Sequence, residues 1–237
     1  MMHHIRTLLL GAALAGAFLV MGARTAAAHQ PYFEDDDWTA DAPYTVPDPT
    51  VSTALYATLD SRQDVDYVTF TGQAGQRVLV GLTIPQIEGQ EAFAPTLALI
   101  GPGLPGVALP DGIAAPPGMG GIVLAPSPGP ARPFFEPFSR TRYWERQEDR
   151  FTLPADGDYV VAVWHPEGAV GRYTLVVGDR ELPGGDVAFP FKLRAFWTPA
   201  PEPVVVEPAA APTPAAPTPA APQPGRGNPC IPRHSLK

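Results

Sequence analysis

The sequence predicts an all-β fold, an antiparallel jelly-roll-like β-sandwich. Short segments alternate apolar and polar residues with period 2, and Gly, Pro and Asp turns divide them. Beyond the first thirty residues, no stretch of ten or more carries a capped 3.6-residue apolar period.

In chain order, Val51–Leu59 reads as the first strand. Tyr67-Val68-Thr69-Phe70-Thr71 alternates large apolar with small polar residues, and Gly72-Gln73-Ala74-Gly75-Gln76 supplies a turn. Arg77–Ile84 then returns with Val78, Val80, Leu82 and Ile84 on one face, so the two segments read as a hairpin. Thr96–Ile100 ends at Gly101-Pro102-Gly103, and Asp149–Leu153 ends at Pro154. Asp156-Gly157-Asp158 leads into Tyr159–Trp164, and Gly171-Arg172 into Tyr173–Val177, a second expected hairpin. Val187–Trp197 is a candidate last strand. The apolar sides of these strands place Tyr67, Phe70, Val80, Leu82, Leu97, Leu99, Val161, Val163 and Leu175 in the core.

Residues 101–137 form a Pro/Gly-rich loop too long for an ordinary turn. Gly121-Ile122-Val123-Leu124 is the apolar stretch expected to pin it to the sandwich.

Residues 1–28 have the pattern of a cleaved signal peptide. Arg6 precedes an apolar run from Leu8 to Met21, and Ala26-Ala27-Ala28 offers the small residues of a cleavage site. Cleavage there makes His29 the first residue, and the mature chain is expected to have no membrane span and to work in the periplasm, at the cell surface or beyond. The domain is expected over 29–198, and 199–237 is a Pro/Ala-rich tail with too little apolar surface to fold. The formal charge is −8, and loss of Arg6 and Arg24 with the leader takes it to −10, a balance unsuited to nucleic acid. The single cysteine, Cys230, lies in the tail, so no intramolecular disulfide braces the domain.

Asp64-Val65-Asp66-Tyr67-Val68-Thr69-Phe70 followed by Gly72–Gln76 resembles the bacterial pre-peptidase C-terminal (PPC) domain. Thr96–Leu99 with Gly101-Pro102-Gly103, Asp156–Tyr159 and Gly171–Leu175 fit the same pattern, which covers most of residues 55–178. The resemblance implies a sandwich attached to, or secreted beside, extracellular bacterial hydrolases, with no catalytic role of its own.

No Gly-x-Ser-x-Gly elbow and no His-Glu-x-x-His occurs, and the domain holds only His29 and His165, so no enzyme is predicted. Three site hypotheses remain. A mature N-terminal His29 offers its α-amino group and a ring nitrogen to Cu²⁺, with His165 as a third nitrogen; alternatively it is only the residue after a cleavage site. Glu34, Asp35, Asp36 and Asp37 supply oxygens for Ca²⁺, or form a solvated acidic face. Tyr143 and Trp144 with Arg142 and Arg146, inside the aromatic group beginning at Phe134, offer a platform for glycan or peptide, or a local mini-core fastening the loop. Asp64, Asp66, Asp156 and Asp158 flank turns, where they meet across the sheet or shape the turns themselves. The function expected is that of a binding or accessory module for an extracellular protein, a glycan or a cell-envelope component.

Overall fold

The computed structural model describes residues 29–113 and 115–199; the leader expected over 1–28 and nearly all of the tail expected over 199–237 lie outside them. Among these residues eleven strands build two packed sheets. They are β1 (Gln30–Phe33), β2 (Tyr44–Thr45), β3 (Thr53–Leu59), β4 (Val65–Gly72), β5 (Arg77–Pro85), β6 (Thr96–Gly101), β7 (Gly120–Leu124), β8 (Arg132–Glu136), β9 (Thr141–Thr152), β10 (Gly157–Trp164) and β11 (Gly171–Val177). One sheet has the order β1-β3-β11-β5-β9-β8, and the other β2-β4-β10-β6-β7.

The fold is the expected β-sandwich, but both sheets are mixed: the edge strands β1 and β2 run parallel to β3 and β4. Neither expected hairpin forms. β4 and β5 lie in opposite sheets, as do β10 and β11. The reason is burial. Val68 and Phe70 on β4, and Val78, Val80 and Leu82 on β5, belong to one core between the layers, so the two strands face each other and the turn at Gly75 (φ 81°) spans the layers. The longest ladder joins β5 to β9, which begins eight residues before the expected strand and is interrupted by a bulge at Arg146.

Phe70, Val80, Leu82, Leu97, Leu99, Val161, Val163 and Leu175 are buried between the sheets as expected. Tyr67 is buried on the outer side. Three positions from Phe70 in a strand means the opposite face, and there Tyr67 joins Ala98, Ile100, Ala162 and Trp164 beneath Leu109, Ile113 and Met119. The long segment after β6 thus covers the outer face of the five-stranded sheet. Within it, Gly120–Leu124 is a full strand paired with β6, and Arg132–Glu136 pairs with β9.

The expected last strand, 187–197, is instead a helix, α1 (Phe189–Phe196), with a proline in its first turn. Phe189, Leu193 and Phe196 have helical spacing and pack on Ala54, Tyr56 and Tyr143 of the six-stranded sheet's outer face. No helix among the described residues is long and apolar enough to cross a membrane.

Candidate functional site

The most unusual group in the domain is Asp66. On β4 the inward positions alternate as Asp66, Val68 and Phe70, so this carboxyl points into the sandwich and is 0 % exposed. The Tyr173 hydroxyl, arriving from β11, donates to its Oδ2 at 2.6 Å. Its Oδ1 is buried and meets no N–H or hydroxyl donor, though the Asp66 carboxyl lies within hydrogen-bond reach of the Glu34 carboxyl.

Glu34 reaches the same place from the segment after β1. Its main-chain N–H still pairs with Tyr56 O at 2.9 Å. Its Oε2 then accepts the Thr58 N–H at 2.8 Å, and its Oε1 the Trp38 N–H at 3.3 Å. The side chain thereby extends the β1–β3 ladder beyond the last paired residue. Asp37 closes the group: Glu34, Asp37 and Asp66 each offer an oxygen, and these atoms lie within 4.8 Å of one another.

Burial raises the Asp66 pKa far above the usual carboxylate range, and the charge of Glu34 adds to this. Glu34 is also raised by its burial, against the lowering effect of its backbone hydrogen bonds. Asp64, whose Oδ2 accepts the Asp60 N–H at 2.6 Å, is pushed up to about 7 by burial and then by the charges of Asp37, Asp60 and Glu34. The geometry offers two outcomes for such a cluster. Its carboxyls can hold protons, or they can share a cation.

Of the four acidic residues read as a Ca²⁺ candidate, only Glu34 and Asp37 converge. Asp35 receives the Lys192 ammonium at 2.8 and 2.7 Å, and Asp36 is exposed. The third member, Asp66, was read as flanking a turn. The signal that finds it is parity, because Asp66 shares the face of Val68 and Phe70. Asp64 and Asp66 do not meet the other turn aspartates. Asp156 accepts the Ala74 N–H at 2.7 Å and Asp158 the Thr71 hydroxyl at 2.8 Å, both at the opposite end of β4.

The two histidines are not brought together. His29 Nδ1 lies 2.5 Å from Ser52 Oγ, just before β3. His165 stacks on Phe93 at 5.4 Å, and Phe93 abuts Gly171, which pairs with Leu59 at the end of β3. The length of a seven-residue strand, roughly 20 Å, therefore lies between them. His165 Nδ1 accepts the Glu167 and Ala169 N–H groups, which makes it a turn organiser.

Nor do the four aromatic and arginine residues form one platform. Tyr143 is buried edge-on beneath Trp197, while Trp144 packs against the inner core. Arg142 lies over the Phe135 ring, and Arg146 donates to Glu91 O at 2.7 Å.

A groove of about 520 Å³ lies on the outer face of the six-stranded sheet. Cross-strand rows explain it. One runs Tyr56, Thr174, Thr83, Glu145, Arg132, and the next Ala54, Val176, Gly81, Glu148. Small residues in the middle strands and long ones toward the β8 edge make a trough. The hydroxyl of Thr174 is buried in its floor without a hydrogen-bond partner. Glu136, Glu145, Glu148, Asp179 and Glu181 line it against Arg132 and Arg146. Sequence reading missed the groove because its rows come from strands distant in the chain.

No family model matches the chain, and no curated protein does. Among solved structures it is similar to the periplasmic inhibitor of g-type lysozyme PliG of Aeromonas hydrophila, with 17 % identity and a TM-score of 0.31 over 63 % of this chain and 98 % of that one. The Salmonella Typhimurium PliG gives 19 % and 0.31, over 57 % of this chain and 97 % of that one. Values this low leave function to be argued from the residues.

Proposed function

We propose that this protein is an exported, non-catalytic binding module that takes a cationic segment of an extracellular protein into the groove of the six-stranded sheet. The observation that carries this is the trough itself: a floor of small residues with an unpartnered Thr174 hydroxyl, beneath five carboxylates and two arginines. A buried polar group without a partner favours a ligand that supplies one. Ion pairs of Arg132 with Glu145, and of Arg150 with Glu148 and Asp179, engage part of the rim. They are exposed pairs, weak enough to yield to a stronger cation. The leader pattern of residues 1–28 supports export.

The test is calorimetry of the mature protein against a panel of cationic secreted proteins, one of them a g-type lysozyme. Binding that weakens with added salt and is lost in Val176→Arg supports the groove, since that side chain would fill the trough with positive charge. Equal affinity of wild type and Val176→Arg removes the groove as the site.

A further inference from the structure

We propose that Glu34, Asp37 and Asp66 form a binding site for one hard divalent cation, Ca²⁺, which fastens the 34–38 turn to β4 in the interior of the sandwich. Two independent observations meet here. Two carboxylates of the 34–38 turn and a third from β4 converge within 4.8 Å. One of them, Asp66, is fully buried, and its Oδ1 meets no N–H or hydroxyl donor, its carboxyl facing the Glu34 carboxyl instead.

The chemistry selects the ligand. All donors are carboxylate oxygens, which suit Ca²⁺ rather than a softer ion preferring imidazole or thiolate. Asp66 supplies Oδ1 while Tyr173 holds its Oδ2, fixing the donor's direction much as an outer hydrogen bond fixes other metal ligands. Glu34 is held by two backbone N–H groups, so it too is pre-oriented. Asp37 is exposed and stands at the solvent side, where water can complete the six to eight oxygens that Ca²⁺ takes. Mg²⁺, which requires near-ideal octahedral geometry and keeps its water, is the poorer fit to three carboxylates drawn from a turn and a strand.

The experiment uses the mature chain, treated with EDTA, dialysed, and titrated with CaCl₂ by calorimetry at pH 7.5. Melting curves are recorded in parallel. The expected result is one saturable site with a Kd in the range of extracellular modules, about 10⁻⁴–10⁻³ M, and a Tm that rises with Ca²⁺. Asp37→Asn, an exposed change that spares the fold, should weaken binding at least about tenfold, no less than the loss of a partner that only orients a ligand. Asp36→Asn, outside the cluster, should bind as wild type. Absence of saturable heat and of a Tm shift in the wild type overturns the site, as does equal loss in Asp36→Asn and Asp37→Asn, which would mean diffuse attraction to acidic surface. MgCl₂ binding as tightly as CaCl₂ overturns the choice of ion.

Discussion

The hydroxyl of Tyr173 on β11 donates to Oδ2 of Asp66 on β4 at 2.6 Å, a bond that crosses the interior from one sheet to the other. Both residues are 0 % exposed, so neither has water as an alternative partner. Tyr173→Phe leaves Asp66 without its only phenolic donor and is expected to cost about 1–3 kcal/mol, the usual penalty for stranding a buried polar group. Urea denaturation in EDTA measures it. A change below about 0.5 kcal/mol, the range of surface substitutions, would show that the bond does not form.

Stability should fall as pH rises. In the folded state Asp66 and Glu34 are raised and Asp64 titrates at about 7, whereas an unfolded aspartate titrates near 4. Between those values the native protein holds protons that the unfolded chain has given up. The stabilisation is fully present below about pH 4 and is lost as pH climbs through 7 and beyond. Melting in EDTA at pH 5 and pH 8 should give the higher Tm at pH 5, and Asp64→Asn should reduce the difference. An equal or higher Tm at pH 8 would contradict it.

Tyr159 fills space left by two glycines. Its ring stacks on Phe70 at 5.5 Å, and a Cβ on Gly101 would overlap it. A Cβ on Gly72 would run into Leu153 as well as crowd the same ring. Gly101→Ala should therefore destabilise by about 1–3 kcal/mol, as overpacking does in a filled core. Gly106→Ala, where a Cβ meets open space, is the control expected to stay within about 0.5 kcal/mol. Equal midpoints for the two variants would reject the packing.

Exported protein should begin at His29. Intact mass of the secreted form checks this, and a mass that retains residues before His29 would place the cleavage site elsewhere.

Much of the sandwich was legible because period-2 alternation reports which side of a strand is dry. Val80, Leu82, Leu97, Leu99 and Leu175 follow from it directly. Pairing was not legible, since Gly72–Gln76 suits a hairpin or an arch between layers equally well, and only the burial of both strands' inner faces decides. The helix was missed for a local reason: Phe189, Leu193 and Phe196 give only two turns of signal, with Pro190 among them. The acidic site was half visible. Glu34 and Asp37 stand together in sequence, but Asp66 enters through a register in which a carboxylate takes a core position, against the ordinary preference for apolar groups there.

One short segment, residues 30–45, lies along an edge of each sheet, with β1 beside β3 and β2 beside β4. Both pairings are parallel, so they depend on a strand laid alongside rather than folded back through a tight turn. If the segment lets go, two rows of backbone donors and acceptors are bared together, one in each layer, and they can be re-occupied by the same segment from a neighbouring molecule. Whatever holds the turn between β1 and β2 in place therefore guards an edge of both sheets at once.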